Sequence, residues 1–136
     1  ISELRAVVAR LRAAQGPEAP AAAIWAERRG ELARVPVAHI DWIEAEGDYV
    51  RLHARGQRYL MRNTLSALAA ELDPKAFLRV RRSALVRLDR VESMRRERER
   101  DLRVRLVTGD EIRVGRTYVK GVRATLLHDE SGPQFG

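Results

Sequence analysis

Cysteine is absent from all 136 residues. Disulfides, thiolate metal sites and cysteine nucleophiles are therefore excluded, and the absence fits a cytoplasmic protein. No run approaches the roughly 18 consecutive apolar residues of a membrane helix. The opening Ile1-Ser2-Glu3-Leu4 does not read as a signal peptide. Histidine is scarce too: His39, His53 and His128 stand at no metal-ligand spacing and read as surface or packing residues. No Gly-rich phosphate loop, nucleophile elbow or metalloprotease helix occurs. Asp41, Glu44, Glu46 and Asp48 are the nearest thing to a catalytic cluster. They alternate along a strand and into a turn, which suits solvent-facing positions better than acid–base work. Neither an enzyme, a metal nor a cofactor is expected. Only seven aromatic residues are present, few for a module that stacks single-stranded bases.

What the chain does have is a core and an excess of arginine. Hydrophobic residues make up 45%, enough for one domain of this length. Charged residues make up 33%, above the usual quarter or so. Of 26 basic residues only Lys75 and Lys120 are lysine, and the net charge is +7. Guanidinium forks suit phosphate and guanine, although the bias also fits a GC-rich genome. The charge is localised. Residues 1–78 hold 11 basic and 10 acidic residues, whereas residues 79–123 hold 15 basic and 7 acidic. One third of the chain thus carries the whole excess, as a polyanion-binding face would. The competing reading is a solvated arginine-rich surface.

The pattern along the chain predicts mostly short strands. Residues 1–14 read as a helix capped by Ser2, with Ile1, Leu4, Val8 and Leu11 recurring at a 3-4 spacing. Gly16-Pro17 ends it, and residues 1–22 form a linker or dimerisation helix with a soft connector. Strands are expected over 23–28 and 32–36 about Arg29-Gly30-Glu31, then over 40–46. Gly47-Asp48 turns the chain into 49–54 and 57–62, joined by Arg55-Gly56. Thr64 caps a short helix bearing Leu65, Leu68 and Leu72, stopped near Asp73-Pro74. Residues 77–94 are β-rich, and Arg95–Arg100 reads as an exposed loop. Leu102, Val104 and Leu106 face inward, as do Ile112 and Val114 across the turn at Gly109-Asp110. Residues 117–127 close the domain as a helix, and 128–136 form a disordered tail. The expected fold is mainly β: an elongated stack of short antiparallel sheets with one internal and two flanking helices.

Two segments concentrate candidate contacts. In Arg79-Val80-Arg81-Arg82-Ser83, alternation sets Arg79 and Arg81 on one side, and Arg82-Ser83 interrupts it as a turn or bulge would. Three arginines and a hydroxyl on one bend make an anion grip; an edge strand with protective charges is the alternative. In Gly115-Arg116-Thr117-Tyr118, a strand passes into a helix. Backbone N–H groups near Thr117 can meet a phosphate there, with Lys120 on the same helical face as Arg116. An ordinary capped helix with surface cations explains that segment equally.

The order of the segments resembles the LytTR domain, the DNA-binding output module of LytR/AlgR-type bacterial response regulators. The matching pieces are residues 37–46, Gly47-Asp48-Tyr49-Val50, Thr64–Leu68, residues 77–86 against an F-x-R-x-H-R-S signature, and residues 108–118 against a D-G…S-R ending. The resemblance covers about residues 23–127. It departs at Arg81, where the family has His, and at Gly115, where it has Ser. The first change makes a charge permanent; the second removes a hydroxyl that could reach phosphate. The resemblance implies loops entering successive major grooves of double-stranded DNA. By position it implies contacts from Asp48, Tyr49, Arg81, Arg82 and Arg116, with Arg79 and Lys120 nearby. Arg82 and Arg116 would read base edges, while Ser83, Thr117 and Lys120 hold phosphates. It further implies a homodimer on paired short repeats, with a receiver or sensor domain upstream of Ile1. An RNA- or single-strand-binding β module and a protein-interaction module built on the 1–14 helix remain as alternatives.

Overall fold

The computed structural model describes residues 20–98 and 101–127. The helix expected over 1–14 and the tail expected from His128 lie outside the described residues. Strand β1 (Ala23–Arg28) turns into β2 (Glu31–Pro36). At that turn Arg29 and Gly30 have φ of 53° and 78°. Positive φ at both central residues is what a type I′ turn requires, and its twist matches that of the strands it joins. The device recurs at Arg55-Gly56, with φ of 48° and 77°, between β4 (Tyr49–Ala54) and β5 (Gln57–Arg62). A single 310 turn, Val37–His39, leads from β2 into β3 (Ile40–Glu46), which reverses through Gly47-Asp48 into β4. The five strands and the three glycine turns are the ones the sequence pattern predicts, with β2 beginning one residue earlier at Glu31; the 310 turn is not among the expected elements.

Helix α1 (Leu65–Glu71) begins under Thr64, whose Oγ1 accepts the Ala67 N–H at 3.0 Å. Its Leu65 and Leu68, and Leu72 just beyond, are all buried. Strands β6 (Phe77–Arg81) and β7 (Ala84–Arg87) follow. Beyond a 310 turn at Leu88–Arg90 come β8 (Val91–Arg98), β9 (Asp101–Leu106) and β10 (Glu111–Val114). Another 310 turn, Arg116–Tyr118, opens into helix α2 (Val119–Leu127). The closing helix therefore starts in a tighter turn than expected.

The strands form two antiparallel sheets. The larger has seven strands in the order β2-β1-β5-β4-β3-β7-β6; the smaller is β10-β9-β8. One apolar core lies between α1 and a face of the large sheet, and includes Ile43, Val50, Leu52, Leu68 and Leu85. A second joins the other face to the small sheet: Trp42, Val80 and Val86 meet Leu102, Val104, Leu106, Ile112, Val114 and Val122. The fold is mainly β, as expected.

Two expectations are corrected. Arg95–Arg98 is strand rather than loop: Arg95 pairs with Arg103 and Arg96 with Leu102 across β8 and β9. Side by side those arginines would repel, but Glu97 accepts from Arg95 at 2.9 Å and contacts Arg103 at 3.0 Å. The hydrogen bond from Arg103, then that from Arg95, holds the Glu97 carboxyl below its usual range. Glu111 adds a second contact to Arg95 at 2.9 Å. Asp41, expected to face solvent, is buried at 6% exposure. Its Oδ1 sits 3.1 Å from Nε of Arg90, which also donates to the Ala38 carbonyl at 3.3 Å.

Arg90 is part-exposed, so the pair is screened on one side. Removing its buried half strands little charge but opens a polar gap. Asp41→Ala is expected to cost about 1–2 kcal/mol in urea denaturation, between values for exposed and buried pairs. Arg90→Ala, which leaves the carboxylate buried and alone, should cost more.

Candidate nucleic-acid interface

Three bends meet at one end of the large sheet. The Ala45 N–H donates to the Ser83 carbonyl at 2.8 Å, so the Gly47-Asp48 bend lies beside Arg82-Ser83. The Gly115 N–H donates to the Val80 carbonyl at 2.8 Å, which seats the exit of β10 against the end of β6. Tyr49, facing Arg62 across β4 and β5, stands at the same end. Segments far apart in sequence thus share one rim, and most of the expected contacts lie on it.

Their side chains are in different states. Arg79 faces inward to its own bend: Nε donates to the Arg81 carbonyl at 3.1 Å and Nη2 to the Arg82 carbonyl. Its Nη1 reaches Ser66 Oγ of α1 at 3.5 Å. Arg79 therefore braces the bend that presents Arg82. Arg81 is half committed, donating from Nε to Ser83 Oγ at 3.0 Å and from Nη1 to the Arg113 carbonyl at 3.4 Å. Arg82, Arg116, Thr117 and Lys120 are exposed, and among the described residues no side-chain hydrogen bond or ion pair engages them. Asp48 is exposed and equally free, and Tyr49 is 44% exposed.

Gly115 explains how the third bend comes so close. Its φ of −65° suits any residue. A Cβ placed there, however, would lie 3.2 Å from Arg81 Cβ and 3.2 Å from Tyr118 Cδ1. The two departures from the family pattern, Arg81 and Gly115, therefore touch each other. The missing side chain leaves room for the backbone of β6.

The positive charge of residues 79–123 is sorted by the fold. Arg87 pairs with Asp89 at 2.9 Å, Arg90 with Asp41, Arg95 with Glu97 and Glu111, and Arg113 with Asp101 at 3.9 Å. Among the described residues of that stretch, the cations left unpaired are Arg82, Arg96, Arg105, Arg116, Lys120 and Arg123.

The acidic stretch, Asp48 apart, is occupied. Glu44 Oε1 is 2.9 Å from His53 Nε2 and 3.5 Å from Arg51, while Glu46 pairs with Arg51. His53 stacks on Trp42, with ring centroids 4.2 Å apart and planes 3° from parallel. Opposite charges two residues apart on facing strands were a signal for this ladder. No group of three potential ligands suited to a metal occurs among the described residues. No helix among them is long and apolar enough to cross a membrane.

The family model of the LytTr DNA-binding domain matches residues 30–127. The chain is 34% identical over 93 residues to the CO-responsive transcriptional regulator RcoM of Rhodospirillum rubrum, covering 68% of this chain and 39% of that protein. It is 33% identical over 118 residues to the positive alginate biosynthesis regulatory protein of Pseudomonas aeruginosa, covering 85% of this chain and 46% of that protein. The chain thus spans less than half of either relative. A solved LytTr DNA-binding domain from Bacillus cereus shares the fold at a TM-score of 0.73 with 16% identity, over 78% of this chain and 97% of that one.

The glycines supply an internal control. Gly115→Ala must push Arg81 or Tyr118 aside and should lower stability by about 1–3 kcal/mol. Gly121→Ala, in α2 with nothing within 4 Å of the new methyl, should raise it by about 0.4–1 kcal/mol. Thermal midpoints moving in opposite directions would confirm the contrast.

Proposed function

Because this chain belongs to the LytTr DNA-binding domain family, we propose that it is the DNA-binding part of a transcription regulator and reads double-stranded sequence with arginines on its bends. The observation that carries this reading is the convergence at the rim. Arg82 and Arg116 each lie one residue beyond a touching pair, Arg81 and Gly115, and both guanidinium groups are unpaired. A free guanidinium can fork onto guanine O6 and N7 in a major groove. Thr117, Lys120 and Ser83 supply donors for phosphates beside them, and half-committed Arg81 adds charge between them. Tyr49 and Asp48 form the flank on the β3–β4 side, where Asp48 accepts from cytosine N4 or holds its loop.

Residues 23–127 are the binding domain in this reading. The named relatives are regulators, and this chain would act likewise, as a homodimer on paired short repeats under an upstream receiver or sensor, in the cytoplasm. Stacking on single strands is less favoured: Trp42 and Phe77 are buried, and Tyr49 is the large aromatic side chain most exposed among the described residues.

The roles separate in measurement. Arg116→Ala and Arg82→Ala should each lose about 1–3 kcal/mol on a selected site and relax its sequence preference, whereas Lys120→Ala should weaken selected and random duplexes alike. Equal losses on both duplexes for all three variants would refute the assignment. Affinity should also fall with salt, by about 0.9 log units per log unit for every phosphate neutralised.

A further inference from the structure

No motif drew attention to a row of side chains that crosses four strands of the large sheet. Register sets Tyr49 opposite Arg62 on β4 and β5, and Trp25 opposite Arg34 on β1 and β2. Strand β1 meets β5 at Glu27 and Leu60. Two residues along each antiparallel strand from that pair, Trp25 comes level with Arg62. Their chain neighbours Ile24, Val35, Val50 and Met61 belong to the core under α1, so the row faces the other way. Arg34 and Arg62 are exposed and, among the described residues, unpaired. Trp25 between them is half-buried. The carboxylate at the inner end of the row, Glu46, is held by Arg51, while Glu27 stands one row further down.

The row starts at Tyr49, where the rim of bends ends, and continues along the same direction across the strands. We infer that it is a second stretch of phosphate-binding surface, on which Arg62 and Arg34 hold the duplex backbone beyond the Gly47-Asp48 bend. Strands lie about 4.8 Å apart, so Arg34, three strands from Tyr49, is about 14 Å further along. At about 3.4 Å per base pair this lengthens the contact by roughly four base pairs on one flank. The contact is sequence-independent, because a groove admits at most a two-stranded ribbon and the broad face of a seven-stranded sheet stays outside it, where its guanidinium groups meet phosphates. This inference rests on the duplex-binding reading above.

The test uses the whole chain, a mixed-sequence duplex of about three helical turns, a single strand of equal length and a site chosen from a random-sequence library. Arg34→Ala and Arg62→Ala should each reduce the log–log salt slope on the duplex by about 0.9, and both together by about twice that. Preference for the chosen site should stay within about twofold of the unaltered chain, because no base contact is lost. Hydroxyl-radical protection should retreat by roughly four base pairs on one flank. Arg58→Ala, on the same face but at the far end of β5, should change neither slope nor footprint. Since Arg34 and Arg62 are exposed, thermal midpoints should not move. Unchanged slopes in the Arg34 and Arg62 variants overturn the inference, as does a loss confined to the single strand, which would mark a stacking platform. If Arg82→Ala and Arg116→Ala also leave site preference intact, the duplex reading falls with it; if they abolish it, only the flank does.

Discussion

The backbone of Gly115 against that of Arg81 is the contact on which the rest of the candidate interface depends. β6 is an edge strand of the large sheet, and an open edge is an invitation to pair with other chains. Here the exit of β10 covers it, through the hydrogen bond from Gly115 to the Val80 carbonyl. The same contact aligns the two sheets. Val80 and Val86 on one side and Val104, Ile112 and Val114 on the other are buried to 2% or less, so the sheets cannot slide without opening that core. A bend of the small sheet is thereby held next to a bend of the large one, and two arginines more than thirty residues apart in sequence project from neighbouring backbone.

Arginine serves three separate purposes in this molecule. Arg90, Arg95, Arg103 and Arg113 sit against carboxylates and make dense charge compatible with strand pairing. Arg79 and Arg81 hold carbonyl groups and a hydroxyl, where five donors in a plane replace the cap that a tight bend otherwise lacks. Others, Arg82 and Arg116 among them, face solvent with the guanidinium unpaired. A count of positive charge along the chain mixes these groups, which is why the basic third of the sequence does not by itself separate unpaired arginines from those that brace the fold.

Legibility followed the range of the interaction. The β1–β5 strands, both Arg-Gly turns and the Thr64 cap depend on neighbours in sequence, and their signals are period-two alternation, a glycine following a residue that accepts positive φ, and a hydroxyl three residues before an amide. Arg95–Arg98 reads as a loop in one dimension because its charges are compensated across strands, by Glu97 and Glu111, and the sequence alone shows only crowding. Asp41 reads as solvent-facing for the same reason, its partner Arg90 lying 49 positions away. Strand order was not legible at all: β1 reaches β5 through a single register pair, and nothing in either strand announces the other. At the rim, the resemblance supplied positions, but the division of labour between Arg79 and Arg82 came only from which atoms the carbonyls face.

On the reading proposed above, that division would let sequence be read without a recognition helix. A side chain that discriminates bases must be placed within a fraction of an ångström, yet must not be satisfied beforehand, or binding would first have to break its bonds. Loops usually fail the first condition. Here the backbone at Arg82 is fixed from within, because Arg79 holds its carbonyl and Ser83 carries a strand hydrogen bond from Ala45. The Arg82 guanidinium itself has no partner, and Arg116 is in the same state one residue past Gly115. Fixed main chain with an uncommitted head leaves only side-chain rotamers to be ordered on binding, roughly 0.5–1.5 kcal/mol each. A bidentate pair with guanine, at about 1–3 kcal/mol, can exceed that cost, which a loop that had also to order its backbone could not rely on.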